Sequence, residues 1–277
     1  MPKLSTVEAM TPDAFLDWWR RVFQPGIHVL TLGQTGSGKT VLELWLASVR
    51  KYCVLLDAKG GADESVDGAG WERVERWPLP QHIRRAFKDG EPVRIVLGKL
   101  VNKKADWGLN QELLAKAVGD LWLQKRWTVL ADELQLLADK RFAGGKVGND
   151  LEMMLIAARA RKISIMSIFQ RPAISRNTPA AGASISQSTF VFVSMTRDRQ
   201  VHQRISEVVG RPLPETEALM TELPRFTWAC YSLDPQEPIR LVQPPKPRKV
   251  HASDTHEPSK FGRWMWGAQT FRQEISA

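Results

Sequence analysis

An α/β fold with a mostly parallel central sheet flanked by helices follows from three features of this 277-residue sequence. Short continuous apolar runs, of the kind that fit strands buried on both faces, recur along the chain. Between them lie segments whose apolar residues return at helical spacing, and that alternation implies parallel strands covered on both sides. The third feature is the glycine-rich stretch GQTGSGKT, Gly33 to Thr40, set between the first such strand and the next helix. Phosphate-loop folds carry their loop at that junction.

DAFLDWWRRVFQ, 13–24, has helical apolar spacing and is stopped by Pro25-Gly26; Trp18 and Trp19 are expected to pack on the main domain. IHVLTL, 27–32, is the first buried strand, and VLELWLASVRKY, 41–52, is the helix after the loop. YCVLLD, 52–57, is a second strand, ended by AKGG. The polar segment 61–91 yields one helix, QHIRRAFKDG, before the strand PVRIVLG, 92–98. The helix NQELLAKAVGDLWLQK leads into the strand WTVLAD. A loop, ADKRFAGGKVGND, precedes the helix LEMMLIAARARK and the strand ISIMSIFQ. TFVFVSM, 189–195, is a further strand and RDRQVHQRISEVVG a helix; FTWACYSL and PIRLVQ form a closing hairpin. No fixed-period repeat is present, which excludes a solenoid.

These elements divide the chain into an N-terminal helical segment, 1–26, a motor-sized domain, 27–242, and a tail, 243–277. The tail holds six Lys or Arg against three Asp or Glu, is rich in proline, and ends with the aromatic stretch FGRWMWGAQTF. Such composition reads as flexible chain or as a docking peptide for a partner.

A hydrophobic content of 43% with 25% charged residues is that of an ordinary globular domain. With 39 Lys and Arg against 30 Asp and Glu the net charge is +9, which suits an acidic polymer such as nucleic acid as partner. Cys53 and Cys230 lie in apolar runs without ligand-spaced neighbours, so they read as small buried hydrophobes. The N-terminus lacks a signal-peptide core, and no run approaches the roughly 18 apolar residues of a membrane span. A cytoplasmic protein without membrane insertion is expected.

GQTGSGKT fits G-x-x-x-x-G-K-[ST], with Gly33, Gly38, Lys39 and Thr40 at the fixed positions and Gln34, Thr35, Gly36 and Ser37 between them. Glycines let backbone N–H groups approach phosphates, and the following helix N-terminus favours negative charge. Lys39 is expected at the β- and γ-phosphates of ATP, and the Thr40 hydroxyl on Mg²⁺. VLADE, 129–133, supplies the complementary half. Asp132, at the end of a buried strand, is expected to hold Mg²⁺ through water, and Glu133 to polarise the attacking water. Small-metabolite kinases share the loop but do not need the adjacent Glu, so hydrolysis is favoured.

GQTGSGKT, LLDAKGG, LADE and RARKISIMSIFQRP together resemble the FtsK/HerA superfamily of RecA-like P-loop ATPases, over about 27–242. That resemblance implies a ring-forming motor, a hexamer in the family, that translocates double-stranded DNA. It also implies a polar γ-phosphate sensor, Gln170, followed by Pro172, which takes the chain out of the sheet. A trans-acting arginine is implied as well, with Arg159 the first candidate and Arg161 the second; either could equally be a helix-end cation. The loop 139–148 offers Arg141, Lys146, Gly144 and Gly145, and reads either as a DNA-contacting loop or as a surface turn. Ala58 stands where the family commonly has Pro. No membrane segment or winged-helix module is evident, so a compact phage or mobile-element motor for packaging or transferring DNA is expected. Two other readings stand beside it: a phage assembly or secretion ATPase acting on protein, and a non-motor ATP-dependent switch that recruits partners.

Overall fold

The computed structural model describes residues 6–61, 66, 70–169, 179–234 and 236–245. In these residues ten strands form one sheet: β1 (Val7–Ala9), β2 (Val29–Leu32), β3 (Tyr52–Leu56), β4 (Glu72–Val74), β5 (Val93–Leu97), β6 (Thr128–Ala131), β7 (Ser164–Phe169), β8 (Phe190–Ser194), β9 (Trp228–Ser232) and β10 (Ile239–Val242). Their order is β1-β10-β9-β8-β2-β7-β6-β3-β5-β4. Every pairing is parallel except those of β9, which runs against β8 and β10. The sheet is therefore mostly parallel, and β9–β10 is the expected hairpin.

Helices cover both faces: α1 (Pro12–Val22), α2 (Lys39–Ala47), α3 (Gln81–Asp89), α4 (Lys104–Gln124), α5 (Leu134–Leu137), α6 (Lys146–Ala157), α7 (Pro179–Gln187), α8 (Arg199–Val209) and α9 (Leu213–Glu222). Strand side chains alternate between two cores, as period-two geometry requires. Leu30, Val54, Val129, Ile165 and Val191 point to the larger core under α4 and α6. Val29, Cys53, Leu130, Met166 and Phe192 point to a second core under α1 and α2.

The N-terminal helix belongs to that second core. Thr11 caps it by accepting from Ala14 N at 3.3 Å, and Pro12 opens its first turn. Phe15, Trp19 and Phe23 are fully buried; Trp19 meets Phe190 edge to face at 5.1 Å, and its Nε1 donates to Leu46 O at 3.1 Å. Burying that indole contributes about 3 kcal/mol, which fixes α1 across the sheet. Residues 7–9, exposed and outside any apolar run of the sequence, join the sheet by pairing with β10.

Several boundaries differ from expectation. The helix expected over 41–52 ends at Ala47, because 48–51 turn the chain back into β3. The helix expected from Asn110 begins at Lys104, where the Asp106 carboxylate accepts from Asn102 N at 3.0 Å and Lys103 N at 2.9 Å. The loop expected to run to Asp150 is shorter: Phe142 and Gly145 are buried and α6 already begins at Lys146. Among the described residues no helix is long and apolar enough to cross a membrane. Cys53 and Cys230 are buried free thiols, and burial pushes the Cys53 thiol up to about 12.

Candidate active site

The glycine-rich loop leaves the C-terminal end of β2, which pairs in parallel with β7 on one side and β8 on the other. Gly33 N donates to Phe169 O at 3.2 Å, and a Cβ on Gly33 would lie 2.6 Å from Ser37 Oγ and 2.9 Å from Trp228, so no side chain fits. Gly38, at φ +84, has the left-handed backbone that favours glycine and caps α2. Gln34, Thr35 and Gly36 are exposed, Ser37, Gly38 and Thr40 half-buried, and Lys39 buried. No acidic residue lies in the first turn of α2, so nothing in that turn offsets its positive end.

Lys39 Nζ donates to Gln34 O at 2.8 Å, folding the side chain back across the loop. Burial lowers its pKa; Asp132 and Glu133 act to raise it, and Lys59 to lower it. Those four groups thus share one field. Asp132 and Glu133 follow β6, separated from β2 by β7 alone, and both strands end at the same edge. Glu133 adopts φ 53, ψ 58, a left-handed conformation uncommon for a non-glycine residue, and opens α5. That kink turns its side chain, 17% exposed, into an ion pair with Lys59.

Lys59 was not singled out by sequence reasoning, yet its turn is built to present it. Asp57 Oδ1 accepts from Gly60 N at 2.8 Å, Arg73 pairs with Asp57 at 2.9 Å and donates to Gly61 O at 2.8 Å, and Val101 N donates to Gly60 O at 2.8 Å. A Cβ on Gly60 would collide with Val101 and with the Lys99 carbonyl. Glu43 was also missed. It is fully buried on α2, receives a hydrogen bond from Thr31 Oγ1, and burial lifts its pKa to about 8, with Asp132 acting in the same direction. The signal was one acid inside the apolar run VLELWL.

The donors fit the groups that the sequence implies. A backbone cradle, a lysine and a helix start suit a triphosphate. Thr40 and Asp132 offer one hydroxyl and one carboxylate, the sparse set that Mg²⁺ uses when phosphates and water complete its shell. Among the described residues no cluster of three or more His, Cys, Asp or Glu could cage a metal by protein ligands alone.

Other expected residues lie elsewhere. Arg159, exposed, precedes β7 and so sits at the N-terminal edge of the sheet, roughly 20 Å of strand away from the loop. A Cβ on Gly26 would lie 3.1 Å from its Cα. Position before a parallel strand already implied that edge. Arg161 stacks on Trp122 at 4.3 Å and donates to Trp122 O at 3.2 Å. Arg141 is exposed and bonded to Asp139 at 2.7 and 3.0 Å, which holds the Asp139 carboxyl down to about 2. Lys146 is exposed on the first turn of α6. Gln170, Pro172 and the tail beyond 245 lie outside the described residues.

No protein-family model matches the chain, and no curated protein matches it by sequence. Solved structures do. The DNA-packaging ATPase B204 from Sulfolobus Turreted Icosahedral Virus is similar with a TM-score of 0.52 at 16% identity, over 80% of this chain and 98% of that one. The genome packaging NTPase B204 from Sulfolobus turreted icosahedral virus 2, in complex with ATP-gammaS, gives 0.52 at 13% identity, over 79% and 98%. The cytoplasmic domain of the Thermomonospora curvata Type VII Secretion ATPase EccC gives 0.52 at 16% identity, over 80% of this chain and 25% of that one. The mostly parallel sheet of this chain, with helices on both faces, is thus a fold shared with these solved ATPases.

Proposed function

We propose that this chain is an ATP-hydrolysing motor that moves double-stranded DNA as a ring-shaped homo-oligomer, a hexamer, in genome packaging or DNA transfer by a phage or mobile element. The observation that carries the reading is the convergence of Lys39, Asp132 and Glu133 at one sheet edge, in a fold shared with a DNA-packaging ATPase.

Thr40, and Asp132 through water, would hold Mg²⁺, which would neutralise charge on the phosphates. Backbone N–H groups of Gly33 to Thr40 hold the triphosphate, Lys39 swings from Gln34 O to its outer phosphates, and Glu133 accepts the proton of the attacking water. Gln170 senses the γ-phosphate. Arg159, exposed at the far edge, serves a neighbouring subunit's site rather than its own. Arg141 and Lys146 meet DNA phosphates without reading bases, with Lys146 the stronger contact because Asp139 offsets Arg141. The tail docks a partner, and the motor works in the cytoplasm.

Steady-state ATP turnover with and without long duplex DNA, at two salt concentrations, tests the reading. Stimulation that fades with salt supports it, and light scattering with ATP and DNA should show the ring. Turnover indifferent to DNA contradicts the DNA motor. It would favour the second reading, an ATPase acting on protein, which the similarity to a Type VII secretion ATPase supports.

A further inference from the structure

The nucleotide reading leaves one feature beside the phosphate loop unused. Between α9 and β9 the chain makes a tight turn, Thr227 N donating to Pro224 O at 3.0 Å. Its third residue, Phe226, has φ +64. Turns of that kind ordinarily place Gly or Asn there, because a bulky side chain is strained at positive φ. The strained residue is also an exposed aromatic, at 39% of its surface. A Cβ on Gly38 of the phosphate loop would lie 3.4 Å from its ring, and the Arg225 guanidinium sits 4.8 Å from the ring centroid.

Topology says which part of a bound nucleotide would meet that ring. Trp228 pairs with Ser194 at the C-terminal end of β8, so the turn shares the edge of the phosphate loop. Within the sheet order, β8 and β9 lie on one side of β2, and β7 and β6, which leads into Asp132 and Glu133, lie on the other. A triphosphate whose outer phosphate faces Glu133 must extend its ribose and base the opposite way, toward β8 and β9. Exposed aromatic faces with an adjacent arginine stack nucleobases.

We infer that Phe226, backed by Arg225, is the stacking platform for the base of the bound nucleoside triphosphate, and that its strained backbone aims the ring over the phosphate loop. The inference rests on the nucleotide reading above and adds to it the residue that holds the base. Stacking tolerates any base, so Phe226 sets affinity for a nucleoside over bare phosphate, while discrimination among bases must come from other groups.

The test is equilibrium binding by calorimetry of Mg-ATP and of Mg-tripolyphosphate, which has the phosphates and no base, to the full chain. Wild type is compared with Phe226→Ala, Phe226→Trp and Phe226→Gly; the glycine variant removes the ring without straining the turn. Expected is an ATP affinity roughly five- to 150-fold weaker in the alanine and glycine variants, tripolyphosphate affinity unchanged, and ATP affinity kept in the tryptophan variant. Equal weakening of both ligands would overturn the inference, since the ring would then only support the phosphate loop. Unchanged ATP affinity in the glycine variant would overturn it too. Wild type binding tripolyphosphate and ATP with equal affinity would remove the base contact while leaving the phosphate site standing. Wild type binding neither would overturn the nucleotide reading as well.

Discussion

At the C-terminal edge of the sheet, Lys39, Lys59, Asp132 and Glu133 crowd together on turns and left-handed backbone. At the N-terminal edge, polar side chains instead hydrogen-bond neighbouring backbone and side chains. Ser164 Oγ accepts from Gly26 N at 3.1 Å, His28 Nδ1 accepts from Ile165 N at 3.0 Å, and Arg50 donates to Thr128 Oγ1 and Phe23 O at 3.2 Å each. The first edge concentrates charge where a ligand can offset it; the second uses polar side chains to close the backbone against α1. A parallel sheet imposes this asymmetry, since its loops and helix N-termini gather at the carboxyl ends of the strands.

The largest effect expected from disturbing this asymmetry is at Lys39. Lys39→Ala should lower ATP turnover by about a hundredfold or more and leave the melting temperature close to wild type, read by steady-state assay beside thermal denaturation. A large loss of stability with turnover kept per folded molecule would mean that the lysine is structural, like the groups at the other edge.

His28 gives the reverse expectation. Burial, helped by Arg159, lowers its pKa from 6.5 to about 4. Its folded pKa is depressed, so between those values the unfolded chain binds more protons. Stability should therefore be complete above about 6.5 and fall as pH drops toward 4, by about 3 kcal/mol at most. His28→Asn, which keeps an acceptor for Ile165 N but cannot titrate, should flatten urea-measured stability between pH 7 and pH 5 and leave turnover at pH 7.5 intact.

Lys59→Met releases the Glu133 carboxylate from its ion pair. Basal turnover should rise roughly two- to fivefold with ATP affinity unchanged; a fall would show that the pair orients the base instead of restraining it. The smallest effect belongs to the exposed cations. Lys146→Ala should reduce the slope of log DNA affinity against log salt by about 1, and Arg141→Ala, already paired with Asp139, by less.

Much of this was legible in the sequence, and the reasons are physical. Strands such as YCVLL and FVFVS are buried on both faces, so their continuous apolar runs need no tertiary context to be recognised. The phosphate loop is constrained residue by residue, as the crowding at Gly33 shows. Residues 7–9, Val-Glu-Ala, are exposed and too short a stretch to carry a pattern, and only the distant partner β10 makes them a strand. β4 is a three-residue strand at the sheet's end, and α9, LPETEALMTE, lacks a clean apolar stripe; both were missed for want of a periodic signal. The pairing of Lys59 with Glu133 joins residues 74 positions apart through strand order, which no local pattern encodes. Phe226 carries a conformation that its residue type argues against, and only the folded backbone reveals it.

If the edge holding Glu133 performs hydrolysis, Glu133→Gln should all but abolish it, because the amide keeps shape and loses basicity. The measurement is single-turnover ATP hydrolysis alongside ATP binding, on wild type and variant. ATP affinity should stay close to wild type while hydrolysis slows by about a hundred- to ten-thousandfold. Hydrolysis at the wild-type rate, with binding intact, would contradict that role for Glu133.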